Sequence, residues 1–256
     1  MKKVLVTGAF GFLGSKISSM LLKKNFYVIC VDKYIDEKNI NFIKLRSKYK
    51  KKFIPFSCDF ESENQIKQLL KFTKKKFKSL DILINNASLT GDTLNKGWNV
   101  KFSSQSNSNF EKAIKVNLVS IFQICKGLKN IINKSKQSNI INITSIYSSL
   151  GFDKNMYKGT GIFNPAGYGS SKAGVAQLTR WLASEFAPNT RVNCIAVGGI
   201  IRKQNKRFIK NYSKKTPLGR MATEDDIVNL IQFLSSKGSS YITGQEIFID
   251  GGFSII

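Results

Sequence analysis

The 256-residue chain contains no histidine. Serine–histidine and cysteine–histidine nucleophile pairs are therefore excluded, and imidazole metal sites with them. Any proton transfer must use tyrosine, lysine, aspartate or glutamate. Cysteine is sparse: Cys30, Cys58, Cys125 and Cys194 are widely scattered, with no C-x-x-C pair. Such spacing predicts buried thiols of a reducing compartment instead of a disulfide frame or zinc site. No apolar run approaches the roughly 18 residues of a membrane crossing. There is no repeat and no Pro/Gly/Ser-rich linker, and the N-terminus runs directly into a strand pattern, which argues against a secretory signal. The expectation is a cytoplasmic chain without a membrane partner, with residues 1–256 forming one domain. Acidic residues are also few, 16 against 41 lysines and arginines, for a formal net charge of +25. That field attracts anions of every kind, including nucleic acid. Arginine, however, occurs only at positions 46, 180, 191, 202, 207 and 220, so the excess is lysine. Runs such as Lys50–Lys52 and Lys74–Lys76 read as solvated faces. The aromatic signatures and finger spacings of dedicated nucleic-acid binders are absent, and no specific nucleic-acid partner is expected.

What is present begins at the N-terminus. Val4-Leu5-Val6 reads as a short buried strand, and Gly8, Gly11 and Gly14 follow it as a turn into a helix of about 11–24. Backbone N–H groups at such a helix start suit a pyrophosphate. A second strand, Phe26–Val31, ends at Asp32, where a carboxylate bonds a ribose 2′-hydroxyl. A glycine triplet alone is weak evidence; strand, turn, helix, strand and acid in register make a nucleotide site.

Tyr168-Gly169-Ser170-Ser171-Lys172 carries the second signal. Residues four apart share a helix face. An ammonium beside a phenol, whose free pKa is about 10, favours the phenolate and makes it a usable acid/base.

Strand and helix patterns alternate along the whole chain. Strands are predicted near 53–57, 81–84, 139–144, 191–196 and 245–249. Helices are predicted near 36–49, 61–78, 109–133 and 165–186, and over 223–234 with Thr223 as N-cap. Residues 88–108 read as a surface loop, 146–164 as irregular and 200–215 as a basic segment. The pattern gives an α/β fold: a Rossmann-type, doubly wound, mostly parallel seven-stranded sheet with helices on both faces. Ligands of such sheets bind beyond the carboxyl ends of strands. The glycine turn, Asp32, Asp59, Asn86, Ser145 and Gly198 all fall there. Asp, Asn, Ser and Gly commonly terminate strands, which explains any one of them but less easily all six beside the Tyr–Lys pair.

These motifs resemble the short-chain dehydrogenase/reductase family over essentially the whole length. The marks are Thr7-Gly8 with its glycine turn, Asp59, Asn85-Asn86-Ala87, Val116-Asn117, Asn142-Ile143-Thr144-Ser145 and Tyr168-x-x-x-Lys172. Arg191-Val192-Asn193, Ile242-Thr243-Gly244-Gln245 and Asp250-Gly251-Gly252 complete the set. The resemblance implies hydride transfer between a nicotinamide and a carbonyl/alcohol pair. It makes Tyr168 the acid/base, Lys172 its modulator and a ribose ligand, Ser145 the holder of substrate oxygen, and Asn117 the support of a water-linked relay. It implies a dinucleotide cleft of Gly8, Phe10, Gly11, Phe12, Leu13, Asp32, Asp59, Phe60, Asn86, Ala87, Tyr168, Lys172 and Gly198. Asp32 points to NAD over NADP, although Lys33 offsets it, and a homotetramer or homodimer is implied.

The sequence also departs from the family. Phe12 stands where the compact branch has a glycine, and the threonine expected shortly after Gly198 is missing from Gly199–Arg202. Ser145 and Tyr168 lie farther apart than usual, so 148–164 reads as an insertion; otherwise Ser148 or Ser149 competes for the serine role. Seven cations between Arg202 and Lys215 would suit an anionic substrate over the site. The insertion and the Lys214–Ala222 run resemble members of surface-sugar and flagellin-modification pathways. An anionic sugar or sugar nucleotide is the expected substrate. The alternatives are 3-oxoacyl-carrier-protein reduction and a non-catalytic nucleotide-sensing or nucleic-acid-binding role.

Overall fold

The computed structural model describes residues 1–38, 40–90 and 96–256. Residue 39 of the predicted 36–49 helix and residues 91–95 of the predicted 88–108 loop lie outside them. Seven strands form one sheet: β1 (Lys3–Thr7), β2 (Tyr27–Asp32), β3 (Phe53–Ser57), β4 (Ile82–Asn85), β5 (Ser138–Ser145), β6 (Thr190–Val197) and β7 (Glu246–Ile249). Their order is β3-β2-β1-β4-β5-β6-β7, and every neighbouring pair is parallel.

Side chains alternate across a strand, and each face of this sheet has its own apolar layer. Leu5, Ile29, Leu83, Ile140 and Val192 face α3 (Glu63–Lys76), α5 (Ser120–Ile132) and α7 (Ala166–Phe186) through Leu69, Leu128, Val175 and Phe186. Val4, Val6, Val28, Ile82, Ile141 and Ile195 face α1 (Phe12–Lys23), α2 (Ile40–Lys48) and α9 (Glu224–Leu234) through Ile17, Leu21, Phe42 and Ile231. Where a strand is covered on both faces its centre is apolar, as in Val4-Leu5-Val6 and Ile82-Leu83-Ile84; β5 and β6 carry the buried polar residues Asn142 and Asn193 among their apolar ones.

The helix predicted over 109–133 is present but is not α-helical throughout. α4 (Asn107–Ile114) passes through one π turn, Lys115–Val119, into α5. The extra residue of a π turn rotates the helix beyond it, and Asn117 sits in that turn. The stretch 146–164 contains a 3₁₀ turn, Ile146–Ser148, and a short helix, α6 (Lys154–Tyr157). The basic segment is helical over α8 (Lys206–Lys215). α6 and α8 close over the site around Ile146, Met156, Phe208, Tyr212, Met221 and Phe253. Thr223 caps α9 as expected: it accepts from the Asp226 N–H, and the Asp226 carboxylate returns a bond from the Thr223 N–H. Among the described residues, no helix is long and apolar enough to cross a membrane.

Candidate active site

β1 and β4 are neighbours although their connections leave in opposite directions, and a cleft opens at that switch point. Its floor is the turn after β1. Gly8 has φ +63°, and a Cβ there would lie 2.8 Å from the Ala87 Cα. A Cβ on Gly14 would lie 1.9 Å from the Gly8 carbonyl oxygen. The turn is locked to the end of β4: Thr7 Oγ1 accepts from the Asn86 and Ala87 N–H groups, both at 3.0 Å. The Asn86 amide donates to the Thr7 and Gly8 carbonyls.

The first-turn N–H groups of α1 have no intrahelical acceptors. Gly11, at the cap, supplies no side-chain acceptor, and the first turn holds no acid. The positive helix end is thus open to a ligand anion. Gly8, Gly11, Phe12, Leu13, Asp32, Asp59, Phe60, Asn86 and Ala87 all line this cleft. Phe10 reaches the adjoining recess with Asp32; its ring packs edge-on against Phe42 and Phe53, and its N–H donates to the Asp32 carboxylate at 2.8 Å. Burial pushes the Asp32 carboxyl up against the pull of these backbone bonds. Lys33 does not stand beside Asp32 as a competing charge: its ammonium lies 2.9 Å from Asp59 and 3.5 Å from Glu61. Burial tends to raise the Asp59 carboxyl, but the Glu61 N–H and Lys33 outweigh it and hold it below its ordinary value. A dinucleotide's anionic and ribose groups fit these donors and acceptors.

The cleft continues past β5 into a second pocket, sharing Leu13, Asn86, Ser88, Thr90 and Arg202 with the first. Ser145, Tyr168, Lys172 and Gly198 line it. Ser145 ends β5, and its hydroxyl accepts from the Tyr147 N–H at 3.3 Å. Tyr168 and Lys172 stand one turn apart on α7, the ammonium 5.7 Å from the phenol ring centre. Lys172 is buried and donates to the Ile143 carbonyl at 2.9 Å; burial lowers its pKa to about 8.

Asn117 does not line either pocket, but its amide is fully engaged beside them. It accepts from the Leu89 N–H at 2.7 Å and donates to the Leu89 carbonyl and to Ser171 Oγ. Ser171 donates in turn to the Tyr168 carbonyl at 2.7 Å. The π turn is thereby tied to the start of α7. Ser171 links Asn117 to Tyr168 and is passed over by the motif pattern; its position three residues after Tyr168, where a hydroxyl reaches back one helical turn, is the available signal.

The competing serines are engaged elsewhere. Ser148 donates to the Ser145 carbonyl and to Glu246 on β7, and Ser149 bonds the same carboxylate. Neither lines the pocket, whereas Ser145 does. The insertion instead supplies a wall of Tyr157, Ile162, Phe163 and Asn164. Tyr157 and Tyr147 share a 2.6 Å hydroxyl–hydroxyl bond. Burial pushes Tyr147 well above its ordinary value and Tyr157 up to about 12, so both hydroxyls are neutral.

The basic segment is corrected by the structure. Of its seven cations only Arg202 lines the pocket; α8 contributes Phe208 and Tyr212. Lys203, Lys206, Arg207, Lys210 and Lys214 are exposed, and Lys215 pairs with Asp153 at 2.6 Å. Apolar residues four apart turn the charged side of the helix to solvent.

Several family marks are structural here. Asn193 and Arg191 bond the carbonyls of Ile242 and Leu234, docking β7 and α9 onto β6. Asn85, Asn142 and Thr179 form a buried ladder between the sheet and α7.

A family model described as enoyl-(acyl carrier protein) reductase matches residues 12–254. The 3-oxoacyl-[acyl-carrier-protein] reductase FabG of Buchnera aphidicola is 34% identical over 98% of this chain and 96% of its own length. The post-translational flagellin modification protein A of Campylobacter coli is 26% identical over 99% of this chain and 98% of its own. A solved short-chain dehydrogenase of Leptospira borgpetersenii, with bound NAD⁺, is 33% identical with a TM-score of 0.84, covering 99% of this chain and 92% of that one. Sheet order, glycine turn, the residues at the carboxyl edge of the sheet and these likenesses agree: the chain belongs to the short-chain dehydrogenase/reductase family of oxidoreductases.

Proposed function

We propose that this chain, acting as one domain, interconverts a carbonyl and a secondary alcohol, with Tyr168 as acid/base and NAD preferred to NADP. The observation that carries the reading is the meeting of Tyr168, Lys172 and Ser145 in a pocket continuous with the cleft over the glycine turn. The Gly8–Leu13 turn, Asp32, Asp59, Phe60, Asn86, Ala87, Lys172 and Gly198 hold the dinucleotide, which when bound supplies or accepts the hydride. In the reducing direction Tyr168 gives its proton to the substrate oxygen as charge develops there, and Ser145 donates a hydrogen bond to the same oxygen. The Lys172 ammonium favours the phenolate left behind. Asn117 keeps the π turn and Ser171 in place, supporting a water-linked proton path to Lys172.

Two features support NAD. The Asp32 carboxylate repels a 2′-phosphate, and Lys33, the nearest cation in sequence, is held by Asp59 and Glu61.

For the substrate we propose a sugar or sugar nucleotide bearing an anionic group. Tyr147, Tyr157 and Phe163 offer flat apolar faces, while Ser88 and Asn164 offer hydrogen bonds, a mixture suited to a hydroxylated ring. The cations on the outer face of α8 attract an anion toward the pocket. The likeness to the Campylobacter coli flagellin modification protein agrees with this reading. A second reading, reduction of a 3-oxoacyl group on an acidic carrier, is favoured by the Buchnera relative and the matched family model.

The test is turnover with NADH and NADPH on matched panels of neutral sugars, sugar phosphates, nucleotide sugars and 3-oxoacyl thioesters. Tyr168→Phe should lower kcat by about 10²–10⁴-fold with NAD affinity retained. Unimpaired turnover in that variant ends the enzymatic mechanism. Salt-sensitive DNA or RNA affinity without turnover on any panel supports a non-catalytic binder instead. Equal kcat/KM for phosphorylated and neutral sugars removes the anionic-substrate reading, and thioester activity alone installs the second one.

A further inference from the structure

Phe12, which departs from the family's glycine turn, and Arg202, at the base of the basic segment, meet in space. The Arg202 guanidinium lies 4.5 Å from the Phe12 ring centre. Phe12 is the first residue of α1 and is 67% exposed, an unusual position for a large aromatic unless its face is used. Arg202 lines both the glycine-turn cleft and the Tyr168 pocket.

Arg202 is also held before any ligand arrives. Its backbone N–H donates to the Gln204 side-chain oxygen at 2.6 Å, and the Gln204 amide donates to the Ile200 carbonyl at 2.7 Å, which fixes the loop. The Ile201 N–H donates to the Ala222 carbonyl at 2.8 Å, and the Ala222 N–H to the Gly199 carbonyl at 2.9 Å. Glu224, at the start of α9, lies 3.7 Å from Arg202 Nε. The loop, the Phe12 ring and the Glu224 carboxylate thus place a planar cation beside the start of α1, whose cap supplies no side-chain acceptor.

We propose that Arg202 is a ligand of the dinucleotide's pyrophosphate, facing the α1 N-terminus across the cleft, with Phe12 as its stacking platform. This role rests on the cleft being the dinucleotide site. Backbone N–H groups on one side leave the outward phosphate oxygens to be met from the other. A guanidinium offers the paired donors that suit them. Stacking on Phe12 orients the guanidinium plane through its face. Because Arg202 belongs to the loop that enters α8, cofactor binding would also anchor the cover of the substrate pocket.

Calorimetry with NAD⁺, ADP and adenosine on the full chain tests this without turnover. Arg202→Gln should weaken NAD⁺ and ADP about tenfold or more and leave adenosine, which has no phosphate, unchanged. Arg202→Lys should restore only part of the loss, because a point charge lacks the fork. Phe12→Leu should weaken ADP about two- to fivefold. Hydrogen exchange over 200–215 should slow on NAD⁺ binding in wild type and not in Arg202→Gln. Equal ADP affinity in wild type and Arg202→Gln overturns the proposal, as does an equal loss for adenosine. A raised substrate KM with unchanged ADP affinity also overturns it, by giving Arg202 to the substrate. If wild type binds neither NAD⁺ nor ADP, the dinucleotide reading itself fails; the Tyr168→Phe comparison then stands as a separate matter.

Discussion

Three glycines that look equivalent in the sequence are not equivalent in the fold. Gly14 presses α1 against the turn so closely that an added Cβ meets the Gly8 carbonyl at 1.9 Å, whereas at Gly11 the nearest atom is 3.5 Å away. Gly11 also has φ −67°, open to any residue. Gly14→Ala should therefore cost about 3 kcal/mol or more, and Gly11→Ala should fall within about 1 kcal/mol of wild type; urea unfolding of both decides it. Lys172 makes a second prediction at this scale. Its folded pKa is about 8 against an ordinary 10.5. Above the folded value the unfolded chain binds more protons at this position, so its contribution to stability rises with pH from about 8 to 10.5. The four buried thiols act in the opposite sense. Burial lifts each from 9.0 to about 12. The unfolded chain loses those protons first, so their contribution falls above pH 9. Denaturation midpoints should show the wild-type minus Lys172→Met difference growing between about pH 8 and 9; a flat difference rejects the buried-ammonium account.

At the scale of elements, the π turn between α4 and α5 is where the sequence is least informative. The central strands are legible because sheet burial on both faces demands apolar residues at their centres, and the edge strands β3 and β7 because they alternate with helical stretches. α9 is legible because Thr223 and its acids announce a start. The π turn has no comparable signature: Val116-Asn117-Leu118 reads as ordinary helix, and only the long-range bonds of Asn117 to Leu89 and Ser171 show what holds it. The same limit applies to the insertion, whose Tyr157 meets Tyr147 only once 146–164 folds back on α8. Read by its charge alone, the basic segment puts its cations over the site; the spacing of Phe208 and Tyr212, four apart, is the signal that turns that charge outward. Asn117→Ala deletes three hydrogen bonds and leaves Leu89 polar groups unpaired, which should cost about 1–3 kcal/mol. Its kcat should fall with substrate KM nearly unchanged, since Asn117 touches neither pocket. A raised KM with normal kcat would place it instead in substrate binding.

Across the whole molecule, charge and exposed apolar surface pull in opposite directions. A formal charge of +25 keeps copies apart. Yet Phe110, Val119, Phe122 and Trp181 are 41%, 37%, 40% and 55% exposed, on α4, the π turn, α5 and α7. α4 and α5 both pack against α7, so these side chains belong to one helical layer. Beyond it, β7 is an edge strand with Phe248 exposed, and Tyr241, Ile255 and Ile256 near the C-terminus are open as well. Scattered apolar residues are ordinary on a surface, but several aromatics on neighbouring helices and an unpaired strand edge are what a self-associating chain presents. We expect a homodimer or homotetramer built through the α4–α5–α7 layer. Its stability should increase with salt, because screening removes the repulsion between copies while leaving apolar contact intact. Light scattering across micromolar concentrations and about 20–500 mM salt measures it. Trp181→Glu should lower the mass or raise the concentration at which it is reached, with Tyr168 chemistry retained in the dissociated form; a monomer under every condition refutes the assembly.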